Sequence, residues 1–297
     1  MSNSILRFID IFNTREKAIA VWIVLALIFI LAKKNIRELF SEMFKLLFSK
    51  KILLVNTITL LYVSIVILLL YRIHLWNFGL LKDSIYWVTG TAIVLLFNII
   101  DANKEKQFFK KITLDSVKLM IIIEFIVNFY TFNFWIELLL VPIFFLIGGL
   151  IAISETEKKY QQVNNFLNSV TSIIGIYFLV YFFFKLATDY HTFINLDSFH
   201  VLIHPPILTI TFIPFLYLFA LFMAYETLFL RLGFFVKDRT LLKFIKHQIF
   251  RVCNLNLSKI NKFSKNNANQ LNQVTDKSMA ISIISNFKNN DQKKVVL

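Results

Sequence analysis

The carboxyl-terminal third of the chain contains a histidine pair with the spacing of metal ligands. Residues 199–206 read FHVLIHPP, so His200 and His204 stand four residues apart. On one helical turn, this spacing would present two imidazole nitrogens to the same ion. Three further residues of zinc-ligand type come shortly before the pair, namely Asp189, His191 and Asp197. A metal held by this cluster would suggest a hydrolase.

The prolines that follow the pair favour a different interpretation. A residue that precedes proline is pushed out of helical geometry, so His204 is a poor partner for His200 in a helical site. A helix that begins at Pro205 and Pro206, with polar residues in the headgroup region before it, accounts for the same pattern. Histidines on the outer face that titrate near neutrality would be a third reading, in which they modulate opening.

Composition indicates whether such a helix lies in water or in a membrane. Hydrophobic residues make up 57% of the 297 residues, only 17% are charged, and the mean hydropathy is +0.67. Soluble domains carry about 25% charged residues, and a membrane helix needs about 20 apolar ones. Seven apolar runs qualify: Ala18–Ala32, Ile52–Tyr71, Ser84–Ile100, Val117–Phe132, Phe134–Ile153, Val170–Ala187 and Ile207–Leu230.

These runs predict an all-α polytopic membrane protein of about seven transmembrane helices. We expect a short amino-terminal segment at 1–17, a transmembrane domain at 18–236 and a basic carboxyl-terminal region at 237–297. With seven spans, 26 lysines and arginines fall on one side of the membrane and 6 on the other. The positive-inside rule then predicts a cytoplasmic carboxyl terminus and an external amino terminus.

Amphipathic helices are predicted on the cytoplasmic side. The stretch NIRELFSEMFKLLFSKK repeats apolar residues every three or four positions, which is typical of a helix in the membrane interface or packed on other cytoplasmic segments. After the last span, Asp238 is a candidate N-cap for a second such helix. Its predicted apolar face consists of Leu241, Leu242, Ile245, Ile249 and Val252.

The basic residues around this second helix predict an anionic partner. Either anionic lipid or a soluble polyanion such as an oligonucleotide would neutralise their positive charge. The polar stretch 261–278 is expected to be a flexible linker, and the apolar run Met279–Ile284 after it either adds a strand or stays loose. The candidate ligand-binding cations are Lys237, Arg239, Lys243, Lys246 and Arg251.

Charged residues within the spans are candidates for a pore or a gate because burying them in lipid is costly. Glu124 and Asn128 lie one turn apart in the fourth span, where they either line a polar path or make a packing hydrogen bond. Glu226 and Arg231 either gate the last span or anchor it at the inner interface. Glu137 and Lys185 share a depth and are expected to form an ion pair.

Two phrases of the sequence resemble a known family. HPPILTITFIPFLYLFALFMAYETLFLRL in the last span, with GLLKDSIYW before the third, is similar to the membrane effectors of the Hailong type of bacterial antiphage defence. The resemblance implies a homotetrameric ion channel in the bacterial inner membrane. It also implies closure by DNA oligomers from a partner nucleotidyltransferase, and opening during infection to arrest growth.

Known catalytic motifs are missing from the sequence, which contains no glycine-rich phosphate loop and only one cysteine, Cys253. We therefore expect no enzyme and no cofactor. The leading hypothesis is a gated channel that depolarises the cell under the control of an anionic cytoplasmic ligand. The alternatives are a seven-span metal-dependent hydrolase, which would use the histidine cluster, and a transporter.

Overall fold

The chain folds into helices throughout the part that the computed structural model describes, which comprises residues 12–99, 109, 131–188, 196–271 and 274–293. No strand occurs within those ranges, so the expected all-α class is confirmed. A 3₁₀ turn at Phe78–Leu80 precedes α4, and a π-helical turn at Val88–Ala92 joins α4 to α5. The helices are α1 (Thr14–Ala32), α2 (Lys34–Leu47), α3 (Lys50–Arg72), α4 (Leu81–Trp87), α5 (Ile93–Phe97), α6 (Phe134–Ser154), α7 (Gln161–Thr188), α8 (Leu196–Phe235), α9 (Arg239–Cys253), α10 (Leu257–Leu271) and α11 (Lys277–Lys293).

Five stretches of helix are long and apolar enough to cross a membrane. A sixth arises if α1 and α2, which meet at a bend of 109°, are counted together. The chain is therefore a membrane protein. The fourth predicted span, Val117–Phe132, lies almost wholly outside the described residues, so the count of seven stays a prediction. The five stretches are Lys50–Arg72, Phe78–Phe97, Phe134–Ser154, Gln161–Tyr181 and His200–Phe235.

Close contacts divide the chain into two units. Met1–Ile65 with Leu119–Ile203 forms the first, and Val66–Lys118 with His204–Leu297 forms the second. The carboxyl-terminal region therefore belongs to the same unit as most of α8.

An ion pair holds α1 against α6 in the first unit. The guanidinium of Arg15 donates to both carboxylate oxygens of Glu137, each at 3.0 Å, and the Glu137 side chain is only 2% exposed. The backbone N–H of Phe132 donates to the same carboxylate at 2.9 Å. Glu137 thus pairs with Arg15. The expected pair with Lys185 involves a side chain outside the described part of the chain and stays a prediction. Arg15 precedes the first apolar run, and no partner was predicted for it.

A capping box begins α1, and an amphipathic pattern marks α2. Asn13 caps α1 by accepting from the backbone N–H of Glu16, whose carboxylate in turn accepts from the backbone N–H of Asn13. The next helix, α2, has the predicted amphipathic pattern and none of its residues is buried. On its apolar face, Ile36 and Phe40 are half-buried, whereas Leu39, Met43, Phe44 and Leu47 are exposed.

The longest helix, α8, runs through three prolines. It begins at Leu196, well before Pro205 and Pro206, and contains Pro214 as well. The expectation that the proline pair starts the helix is therefore wrong. Within this part of the helix, Thr209 Oγ1 donates to the Pro205 carbonyl oxygen at 2.9 Å. Membrane helices tolerate proline where such side chains are available.

Helices α9 to α11, which follow α8 in the chain, pack together. Asp238 accepts from the backbone N–H of Thr240, which confirms it as the N-cap of α9. The predicted apolar face is also confirmed, because Leu241, Ile245 and Ile249 are buried.

The expected flexible linker at 261–278 is wrong, as is the strand or loose segment expected at Met279–Ile284. The described residues of these stretches lie mainly in α10 and α11. Both helices bury small apolar stripes that their polar composition conceals. The buried residues are Leu257, Ile260, Phe263, Ala268 and Leu271 on α10, with Ala280, Ile284 and Phe287 on α11.

Candidate functional site

Two tyrosines of α8 bind the turn between α9 and α10. The hydroxyl of Tyr225 donates to the carbonyl oxygen of Asn254 at 2.7 Å. The hydroxyl of Tyr217 donates to the carbonyl oxygen of Leu255 at 2.8 Å and accepts from the backbone N–H of Leu257 at 3.2 Å. We call these contacts the tyrosine latch. It joins the carboxyl-terminal helices to α8, which is long and apolar enough to cross a membrane.

The backbone at the latch is strained. Asn254 has φ 46° and ψ −137°, a conformation that glycine adopts readily and other residues adopt at a cost of about 1–3 kcal/mol. Such a residue persists only where its surroundings fix it. Here the Tyr225 hydroxyl binds the carbonyl of this same residue. A turn that is held in a costly conformation by two hydroxyl groups is suited to switching between two arrangements.

Further contacts extend from the latch toward the end of α8. The ring of Tyr225 lies 5.5 Å from that of Phe250, and the ammonium of Lys246 lies 5.2 Å from the centroid of the Phe229 ring. Arg231 donates to the side-chain oxygen of Asn269 on α10. Helices α9 and α10 are therefore coupled to α8 along several turns.

A row of basic residues follows the exposed side of α9. Arg239, Lys243, His247 and Arg251 recur every four positions, and all four are exposed. At 1.5 Å per residue the row is about 18 Å long. Exposed lysines of α10, Lys262 and Lys265, add to the charge. Such a row can bind successive phosphates of one strand.

Two acidic groups near this row are used as helix caps. Asp238 caps α9, and Asp276 accepts from the backbone N–H of Met279 at 2.7 Å and from the Ser278 hydroxyl at 2.8 Å. The Met279 backbone N–H, followed by the Ser278 hydroxyl, holds the pKa of Asp276 below its ordinary value. The Asp276 carboxylate thus stays ionised at neutral pH while it serves a structural role.

A buried polar cluster joins α4 to α8. The indole N–H of Trp76 donates to Ser84 Oγ at 2.9 Å, and Ser84 Oγ donates to the Leu80 carbonyl oxygen at 2.8 Å. His204 Nε2 lies 2.9 Å from the same Oγ. Because the hydroxyl proton points to Leu80, His204 donates from Nε2. One turn further on, the indole N–H of Trp87 donates to Thr209 Oγ1 at 2.9 Å.

The contact between Ser84 and His204 has the length of a nucleophile–base pair but not its chemistry. A nucleophilic serine donates its proton to the histidine, whose other nitrogen is oriented by a third group. Here the serine proton goes to a carbonyl, and His204 Nδ1 is buried with no hydrogen-bond partner in the described part of the chain. The cluster therefore fixes the position of α4 against α8.

The described part of the structure does not bring the predicted metal ligands together. Asp189 and His191 lie outside the described residues, as does the side chain of Asp197. The Nε2 atom of His204 is hydrogen-bonded to Ser84. Among described residues, no three His, Cys, Asp or Glu side chains are close enough to hold an ion.

The predicted gating residues fall in two places. Glu124 and Asn128 lie outside the described part of the chain. Glu226 is half-buried in a groove of about 550 Å³ between α8 and α9, and Arg231 is exposed next to α10. Of the predicted ligand-binding cations, Lys237, Arg239, Lys243 and Arg251 are exposed, whereas Lys246 is half-buried against Phe229.

Sequence reasoning missed the tyrosine latch and the Trp76–Ser84 contact. Tyrosine and tryptophan in an apolar run look like membrane-interface anchors, and nothing in the run shows which backbone group each will meet. The π-helical turn at Val88–Ala92 was missed as well, although Thr89-Gly90-Thr91 in an apolar span is a visible irregularity. Turns of this kind are frequent at functional sites.

Comparison with known proteins adds no relative: no protein-family model, no curated protein and no solved structure matches this chain.

Proposed function

We propose that the chain is the subunit of an ion channel whose opening is controlled by an anionic oligonucleotide bound at its basic carboxyl-terminal helices. The tyrosine latch is the observation that carries this proposal. It connects the helices that bear the basic row to α8, which is long and apolar enough to cross a membrane. A ligand that moves α9 against α10 would therefore act directly on a membrane helix.

The basic row suits a phosphate backbone better than it suits a membrane surface. The apolar side of α9 is buried within its own unit, so the helix does not need lipid to cover it. Its exposed side instead presents Arg239, Lys243 and Arg251 to the solvent. Each phosphate that such cations neutralise releases counterions, so affinity for a single strand would fall steeply with salt.

Helix α2 favours a second, separate contact with lipid. It bends by 109° from α1, carries an apolar face that the described residues of its unit leave largely exposed, and has lysines at both ends. We propose that it lies along the cytoplasmic interface, with the carboxyl terminus on the same side of the membrane and the amino terminus outside. This arrangement follows from the distribution of lysine and arginine.

The biological role proposed is that of an antiphage effector in the bacterial inner membrane, working as a homo-oligomer, with four copies as the number to test. Its partner would be a nucleotidyltransferase that makes the oligonucleotide. Loss of the ligand during infection would open the channel, depolarise the cell and arrest growth. Glu124 and Asn128 remain the proposed polar residues of the conduction path.

Ion flux from liposomes tests the proposal. Purified protein should release K⁺ when no ligand is present, and DNA oligomers should suppress the release. Expression without a partner enzyme should depolarise cells. If the protein releases no K⁺ with or without DNA, and the membrane potential of expressing cells is unchanged, the channel proposal is wrong.

Charge variants test the ligand site separately. Replacing Arg239, Lys243 and Arg251 together with glutamine should weaken DNA binding and lower the slope of log affinity against log salt by about 2, since each phosphate contact on a single strand contributes about 0.7. The control replaces Lys33, Lys45 and Lys50, exposed lysines of the first unit, with glutamine. An equal loss in both variants would show a general charge effect and would remove the basic row as the site.

A further inference from the structure

A hydrogen bond that is missing inside α6 is supplied from α1. In an α-helix, the carbonyl of Leu138 would accept from the backbone N–H of residue 142, but proline has no N–H to donate. The indole N–H of Trp22 on α1 donates to this carbonyl oxygen at 2.8 Å. Trp22 therefore takes the place of the donor that Pro142 lacks.

The surroundings of α6 make this bond important. The helix is long and apolar enough to cross a membrane, and hydrocarbon offers no water to a carbonyl without a donor. Membrane helices tolerate proline where a neighbouring helix satisfies the freed group. Proline is also the commonest place for a helix to bend sharply, because both a hydrogen bond and ring space are lost there. The indole thus stabilises α6 at its weakest turn.

The beginning of α6 is fixed to α1. Three hydrogen-bonded contacts lie before Pro142, and together they hold this end of the helix in place. They join Thr14 Oγ1 to the Phe132 carbonyl oxygen at 2.8 Å, Arg15 to the Glu137 carboxylate at 3.0 Å, and Trp22 to the Leu138 carbonyl oxygen.

The part of α6 after Pro142 contacts α7. The side-chain amide of Asn164 donates to Ser154 Oγ at 2.9 Å, and the Phe144 ring lies 6.1 Å from that of Phe178. Between these contacts, a Cβ atom added at Gly148 or Gly149 would meet nothing within 4 Å. Pro142 therefore separates a part of α6 that is bonded to α1 from a part that is bonded to α7.

We propose that Pro142 is a hinge of α6 and that Trp22 is the clasp that keeps it straight. The indole is 36% exposed, so it can leave the carbonyl without opening the buried ion pair at Glu137. Once it leaves, the part of α6 after Pro142 moves with α7 while the first part stays on α1. Leu150 lies about 12 Å beyond the proline, so a bend of about 20° displaces it by about 4 Å.

Distances between spin labels test the hinge in the full-length protein in lipid nanodiscs. Ile28→Cys and Leu150→Cys place labels on either side of the hinge, at positions that are 59% and 51% exposed. Trp22→Phe keeps a ring but removes the N–H, and it should shift or broaden this distance by about 4 Å. Adding Pro142→Ala gives Leu138 a backbone donor again and should reverse the change.

Three controls separate the hinge from general loosening. A second label pair, Ile19→Cys with Leu139→Cys, lies before the hinge and should keep its distance in every variant. Trp135→Phe makes the same exchange at a tryptophan of α6 that is 69% exposed, and it should change neither distance. The parent chain measures any label on Cys253, which is buried.

Three results of the distance measurements would each overturn the proposal. The first is a hinge distance that Trp22→Phe leaves unchanged, and the second is a change that Pro142→Ala does not reverse. The third is an equal change in the second label pair, which would mean that α1 leaves α6 as a whole.

Thermal unfolding gives a second readout if Trp22→Phe folds poorly. In the native chain this substitution should lower Tm by about 2–4 °C or prevent folding, whereas in a Pro142→Ala background it should have little effect. An equal loss in both backgrounds would show that Trp22 only packs against α6. The hinge depends neither on ion flux nor on DNA. A protein that conducts without a hinge motion leaves the proposed function intact, and a hinge motion without conduction leaves the hinge intact.

Discussion

The Tyr225 hydroxyl lies 2.7 Å from the carbonyl oxygen of Asn254, a residue whose backbone is strained. A short hydrogen bond thus joins α8, which is long and apolar enough to cross a membrane, to the turn of a basic helical hairpin. The second tyrosine, Tyr217, binds the next carbonyl of the same turn. In the channel that we propose, this turn is where a ligand bound to the carboxyl-terminal helices would act on α8.

Removing the latch hydroxyls should loosen the carboxyl-terminal helices. Tyr225→Phe leaves the Asn254 carbonyl without its donor, and we expect the unfolding free energy to fall by about 1 kcal/mol, with a further similar loss in the double variant with Tyr217→Phe. Hydrogen exchange of α9 and α10 should rise, and K⁺ release should become less sensitive to DNA. Thermal unfolding in detergent, exchange mass spectrometry and liposome flux measure the three effects.

Tyr177→Phe is the control for the latch variants, because Tyr177 is 61% exposed on α7 in the other unit. It should leave α9 and α10 unchanged. If Tyr225→Phe exchanges no faster than this control, the latch does not hold the turn.

Relieving the strain at Asn254 should have the opposite effect on stability. Asn254→Gly suits the positive φ without a Cβ clash, so we expect a gain of a few tenths to about 1 kcal/mol. Asn254→Val, which is β-branched, should lose more than about 1 kcal/mol. If the turn switches during gating, the glycine variant should also change the ligand concentration for half-maximal closure. Equal stability of the three proteins would show that the turn stores no strain.

How far the sequence predicts this structure depends on the range of the interactions involved. The apolar runs predict the spans, and Asp238 predicts the start of α9, because hydropathy and capping act locally. The pairing of Glu137 with Arg15 was not predictable, since it joins residues far apart in the chain and depends on how α1 meets α6. Depth alone suggested Lys185.

The stretch 261–278 shows a second limit. Asparagine and lysine dominate its composition, which is typical of flexible segments, yet Phe263, Ala268 and Leu271 suffice to hold α10 against its neighbours. Tertiary packing outweighs weak helix propensity here. The latch has the same origin, because tyrosine in an apolar run carries no sign of its distant partner.

The cap of α11 should respond to acid. The folded pKa of Asp276 is lowered by the backbone N–H of Met279, followed by the Ser278 hydroxyl, so its stabilising effect is complete above the ordinary value of 3.8 and is lost as the pH falls toward the lower folded pKa. Hydrogen exchange at Ser278 to Ala280, corrected for the intrinsic rate, should therefore lose protection on acidification. Asp276→Ala should lack that protection already at neutral pH. Protection that stays constant in the native chain down to pH 2 would contradict the assignment.

The ion pair between Arg15 and Glu137 should show strong coupling in a double-mutant cycle. Glu137→Ala leaves a partly buried guanidinium without its carboxylate and also removes the acceptor of the Phe132 N–H, so we expect a loss of about 3 kcal/mol. Arg15→Ala leaves the more deeply buried charge and should cost at least as much. The double variant should lose less than the two single losses added together, because neither charge is then left alone. Denaturant unfolding in detergent measures all four proteins, and simple additivity would mean that the two side chains do not stabilise α1 against α6 as a pair.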